Sequence, residues 1–172
     1  MTRFSTRIVA GVGALALIGT MSACSRPSTA ATVGTERITV AEVTEITDNL
    51  PAELRAQPGT PWQSWALSLR MRGLAAEQIA AKHGITNIRQ QAEARVAAEE
   101  LPAEVTQNEH LMSLFVAEAE EKVLSQHIGT AETQAAFATV PVKVNPRYGL
   151  TGLEPFETLR NPSLSKRAGQ PE

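Results

Sequence analysis

One cysteine, three histidines, one aspartate and two tryptophans are the side chains with most chemistry to offer in this 172-residue chain. The solitary cysteine, Cys24, excludes an intramolecular disulfide and leaves a thiolate zinc or dithiol redox site without its second sulfur. His83, His110 and His127 lie 27 and 17 residues apart, spacings that match no short metal-ligand motif. His83 and His127 also fall in the last turn of predicted helices, where a partly cationic ring complements the helix dipole. Asp48 has no Gly-x-Ser-x-Gly elbow to serve, and neither a phosphate loop nor a dinucleotide fingerprint is present. Glu99 and Glu100, and Glu118, Glu120 and Glu121, read as solvated helix faces, and nothing singles out a catalytic pair. These residue types point away from an enzyme and towards binding without metal or cofactor.

Trp62 and Trp65 are three residues apart, so on a helix they share one face. They fit a core role, packed against Leu69 and an apolar stripe between Leu111 and Val123. The functional alternative is the apolar lip of a binding groove, to which Met71 and Met112 would add adaptable surface. Both readings stay open at this level.

The N-terminus positions Cys24. Arg3 and Arg7 form a basic n-region, Ile8 to Ile18 is an eleven-residue apolar run, and Gly19-Thr20-Met21-Ser22-Ala23 is small and uncharged. That is the build of a signal peptide over residues 1–23, with small side chains at the cut. The uncharged stretch from Ile8 to Ser25 is 18 residues, the lower edge of a membrane span, and its three glycines weaken that alternative. Met21-Ser22-Ala23-Cys24 resembles the lipobox of bacterial lipoproteins, with Met21 where Leu is commoner. The resemblance implies that Cys24 receives a diacylglycerol and becomes the first mature residue. The membrane lipid is then its partner, and the extracytoplasmic face of the cell membrane its location. The remaining 149 residues are enough for one compact core. They carry 14 basic and 18 acidic residues, a balance that favours no nucleic-acid partner.

The rest reads as a tether (24–31), a mainly α domain (32–149) and a poorly ordered tail (150–172). A strand-turn is predicted around Gly34. Thr39…Glu42, Thr60…Gln63 and Thr106…Glu109 are candidate capping boxes, opening helices to about Leu50, His83 and His127. A further helix is predicted from Asn87 to before Pro102, and a short alanine-rich one over 131–139. Val140-Pro141-Val142-Lys143-Val144-Asn145 alternates like a strand, and Pro146 to Gly149 like a turn. The fold class is therefore mainly α, with four or five helices and a small two- or three-stranded sheet. Pairing the first strand with the last satisfies the backbone groups of both and brings the domain's ends together.

Val33 to Val43, with its strand, turn and "Ile-Thr, two residues, Glu-Val" helix start, resembles the opening of the SurA N-terminal-like chaperone domain. Val142 to Gly149 resembles the closing strand of the same domain in lipoproteins of high-GC Gram-positive bacteria. The two matches cover about a fifth of the mature chain. The resemblance implies chaperone-like binding of unfolded or extended exported polypeptides. It implies no prolyl isomerase, because a parvulin domain needs about a hundred residues more than this chain provides. The alternative expectation is a structural or assembly lipoprotein with one specific cell-envelope partner.

Overall fold

The computed structural model describes residues 28–56 and 61–153. The stretch 1–23 read as a signal peptide, Cys24 and the tail beyond Leu153 lie outside them.

The chain enters the domain as strand β1 (Thr29–Val33), turns at Gly34 with φ of 58°, and returns as β2 (Glu36–Thr39). A left-handed residue is needed at this turn, and glycine adopts that conformation without steric cost. Thr39 then starts helix α1 (Val40–Asp48), and its hydroxyl accepts the Glu42 amide at 3.0 Å as the capping motif predicts. The closing strand β3 (Val142–Val144) pairs antiparallel with β1 in the register Ala31↔Val144, Thr32↔Lys143, Val33↔Val142. The sheet order is β2-β1-β3, so β1 lies at the centre with Ala30 and Val33 fully buried. The predicted union of first and last strands is present. β1 begins inside the stretch assigned to the tether, however, so the domain starts by Thr29 rather than at 32. At the other end, Leu150 is buried and the Leu153 carbonyl accepts from Arg72, so the domain runs past the predicted boundary at 149.

Seven helices complete the mainly α fold among the described residues. Two long ones, α3 (Trp62–Lys82) and α6 (Glu109–Ile128), pack on each other and carry most of the core. Their small residues allow close approach: a Cβ at Gly73 would stand 2.7 Å from the Ala117 Cβ. Helix α4 (Ile88–Ala97) lies on α6 through Ile88, Ala92 and Val96. Short helices α2 (Ala52–Arg55) and α5 (Ala103–Thr106) form between the predicted helices, and α7 (Thr130–Phe137) precedes β3.

Two of the three capping boxes are corrected. Pro61, without a side-chain cap bond, stands at the N-cap of α3. At α6 the cap is Asn108, whose Oδ1 accepts the Leu111 amide at 3.0 Å, while Thr106 ends α5. An asparagine oxygen satisfies the same orphan donor as a threonine hydroxyl.

Candidate functional site

The tryptophans sit at the start of α3, where it meets α1 and the turn after β3. Their rings meet edge to face, with centroids 5.4 Å apart and an interplanar angle of 88°. Trp65 turns inwards onto a small cluster of Ile46, Ala66 and Leu114, with Leu69 beside it. Trp62 turns the other way and lines a cleft of about 400 Å³. The other walls of this cleft are Pro61, Thr47 and the buried Tyr148, and charges stand at Asp48, Arg55 and Arg147. Tyr148 is fixed from two sides: its carbonyl accepts from Ser64 Oγ at 2.6 Å, and its hydroxyl from Arg147 at 2.8 Å. The Arg147 guanidinium lies 4.7 Å from the tyrosine ring centroid, a cation–π distance. The indole Nε1 of Trp62 is buried and has no hydrogen-bond partner. A donor in that state forfeits roughly 1–3 kcal/mol of solvation.

The four residues predicted to share a groove do not. Met71 is fully buried in the main core and offers no adaptable surface. Met112 is half-buried and packs against that core. Of the four, only Trp62 lines the cleft, and it is joined by residues the sequence reading passed over, notably Arg55, Ser64, Arg147 and Tyr148. Tyr148 was legible only as part of a turn. Its role depends on the pairing of β3 with β1, which delivers the turn to α3.

A second cleft, about 610 Å³, lies under α7 and β3, lined by Phe137, Val140, Val142 and Leu153. Arg72, the one cation among its described lining residues, is already engaged. The guanidinium pairs with Glu121, donates to the Leu153 carbonyl and stacks 5.2 Å from the Phe137 ring centroid.

Glu120 departs most from expectation. Read as part of a solvated acidic face, it is only 2 % exposed, and its Oε1 has no partner. Gly73 is the physical reason: α3 approaches α6 so closely that Glu120 Oε2 lies 2.8 Å from where a Cβ would be. Burial, the charge of Glu77 and a hydrogen bond to Glu77 push its carboxyl up to about 8, against the opposing pull of Arg89 and Arg70. Arg89 is held above its ordinary range despite the burial that works against its charge, by Glu120, Glu93 and Glu77. The folded environment therefore favours the protonated, uncharged form of the Glu120 carboxyl.

The linkage sign follows. Glu120 titrates near its ordinary value when unfolded and near pH 8 when folded, so the folded state holds an extra proton between those limits. Its contribution is complete at acid pH and is lost as pH rises through about 8. Urea unfolding should show stability falling by a few kcal/mol, on the order of 1.4 kcal/mol per pH unit at most, from mildly acidic to mildly alkaline buffer. Glu120→Gln keeps the shape but cannot ionise. It should flatten the profile, and an unchanged slope in that variant would assign the dependence elsewhere.

No protein-family model matches the chain, no curated protein matches its sequence, and no solved structure matches its fold. Functional inference rests on the residues themselves. Among the described residues no helix is long and apolar enough to cross a membrane, and no cluster of three metal-ligating side chains forms.

Proposed function

We propose that the chain is a lipid-anchored extracytoplasmic protein that binds extended segments of exported polypeptides at the Trp62 cleft, without catalysis. The observation that carries this reading is a cleft of peptide-side-chain dimensions in which the aromatic faces of Trp62 and Tyr148 stand among polar and charged side chains, beside a buried indole N–H that has no partner within the described residues. An extended peptide offers carbonyl acceptors at every residue, whereas a folded surface has already used them. Trp62 and Tyr148 supply apolar faces, and a volume near 400 Å³ falls at the small end of ligand sites. The likeness of Val33–Val43 and Val142–Gly149 to the SurA-type domain supports the same reading, and the lipobox supports the anchor at Cys24.

A soluble form beginning at Ser25 should suppress aggregation of an unrelated unfolded protein near stoichiometric amounts, without nucleotide. Titration with apolar peptides should shift tryptophan fluorescence in a Trp65→Phe background, where Trp62 is the only reporter. Trp62→Phe keeps an aromatic wall but deletes the N–H. It should weaken peptide binding about threefold to tenfold, the worth of one hydrogen bond, with little change in stability. No suppression, together with a single envelope partner recovered by crosslinking, would replace promiscuous binding with a dedicated assembly role.

The anchor has its own test. Intact-mass analysis of the membrane fraction should find a mature N-terminus at Cys24 carrying diacylglycerol, and Cys24→Ala should accumulate precursor. One acyl chain binds a membrane only marginally, whereas two hold it firmly. A mature N-terminus elsewhere without lipid would remove the anchor from this account.

A further inference from the structure

The sheet order β2-β1-β3 leaves the outer edge of β3 without a neighbouring strand among the described residues. Which backbone groups face that edge follows from the ladder. Gly34 N–H donates to the Pro141 carbonyl and Asn145 N–H to the Ala30 carbonyl, each at 2.8 Å. Midway between these bonds, Thr32 stands opposite Lys143. Every second residue of this stretch therefore turns its backbone to β1, and the N–H and C=O of Val142 and Val144 turn the other way. Among the described residues none of those four groups has a hydrogen-bond partner. The N–H that Pro141 lacks falls on the β1 side, so the proline does not blunt this edge.

Two further features say which chain would fit. Successive side chains of a strand take opposite faces. Val142 faces the cleft of about 610 Å³ that Phe137, Val140 and Leu153 also line, whereas Lys143 is exposed on the other face. Backbone donors and acceptors spaced two residues apart are matched by another extended chain. An apolar side chain directly across from Val142 would enter the cleft, and an acid across from Lys143 would meet its charge.

We propose that the outer edge of β3 takes an extended peptide as a fourth, antiparallel strand, with an apolar side chain in the cleft under α7 and an acidic one opposite Lys143.

Two residues with one donor and one acceptor each allow four backbone bonds, so the strand binds reversibly and its side chains select it. This edge shares no residue with the Trp62 cleft, and the proposal stands whether or not that cleft binds peptide.

The probe is the acetylated, amidated peptide Ser-Thr-Val-Glu-Phe-Thr-Ser, titrated into the soluble form beginning at Ser25 and followed by amide NMR. The Val142 and Val144 amide signals should move. N-methylation of the probe's Val and Phe, whose N–H groups would face β3, should weaken binding at least about tenfold, while N-methylation of its Glu alone should change it by less than about twofold. Val144→Pro removes one outward N–H and keeps the ladder to β1. It should weaken binding about threefold to tenfold with the fold intact. If that variant folds poorly, the methylated probes decide the matter on the wild-type chain. Unmoved Val142 and Val144 signals, with or without a shift of the Trp62 indole, would overturn the proposal. So would losses that ignore which probe residues are methylated. Slow exchange of the Val142 and Val144 amides before any peptide is added would overturn it too, because the edge would then be covered by the chain itself or by a second copy.

Discussion

Gly73→Val will unfold this domain at temperatures where the wild type is fully folded. A glycine inside a 21-residue helix costs about 1 kcal/mol relative to alanine, so propensity alone would favour replacing it. Packing reverses the sign. Any Cβ at this position would stand 2.7 Å from the Ala117 Cβ, 3.0 Å from its backbone Cα and 2.8 Å from Glu120 Oε2. Two of those neighbours belong to α6's backbone and first side-chain atom and cannot rotate away. Forcing one extra methylene into a packed core costs about 1–3 kcal/mol, and valine brings two further methyl groups on a stiff, branched Cβ. Gly73→Val should therefore lose roughly 3 kcal/mol or more in urea unfolding, while Gly73→Ala should lose less because helix propensity offsets part of the clash. The valine should also displace the Glu120 carboxylate and blunt the pH dependence of whatever folded state remains. Wild-type stability in the valine variant would mean that α3 and α6 lie further apart than described.

The same helix pair marks where sequence reading stops. Signals confined to a few neighbouring residues were legible. Thr39…Glu42 caps α1, and alternation around Val142 makes β3. The pairing of β1 with β3 was legible too, because β2 takes only one edge of β1, and the other edge and the closing strand must satisfy each other. The start of α6 was not, since Thr106 and Asn108 both qualify as caps. Asn108 holds an advantage invisible in local sequence: its Nδ2 donates to the carbonyl of Asn49, 59 residues away. Glu120 was read wrongly for a related reason. Glu118, Glu120 and Glu121 form one acidic run, but Glu120 stands four residues after Val116 and three before Val123 on the buried stripe, where Gly73 makes room for it, while Glu118 pairs with Lys122 at 2.8 Å. The tryptophan pair was half legible. Spacing put both rings on one helix, but the cleft beside Trp62 needs Tyr148, delivered from the far end of the chain.

Deleting residues 140–149 should leave a chain that does not fold at physiological temperature. The deletion removes β3, so β1 loses its antiparallel partner along Ala31 to Val33. Two backbone bonds go with it, Gly34 N–H to the Pro141 carbonyl and Asn145 N–H to the Ala30 carbonyl, each 2.8 Å. Ala30 and Val33, now fully buried, would face water beside a two-stranded hairpin, which is marginal on its own. Val140 and Tyr148 are 7 % and 5 % exposed, and each large buried side chain contributes about 1.5–3 kcal/mol. With a net of about 1 kcal/mol per hydrogen bond, the loss reaches roughly 5–8 kcal/mol, comparable to the whole stability of an ordinary domain. Circular dichroism should show a chain with little cooperative melting. Truncation after Gly149 provides the graded comparison. It keeps β3 and Tyr148 but removes Leu150, which is 6 % exposed, and the carbonyl that receives Arg72, so it should fold with about 2–3 kcal/mol less stability. If instead the 140–149 deletion melts like the full chain, β1 does not depend on β3, and the Trp62 cleft loses the turn that supplies its tyrosine wall.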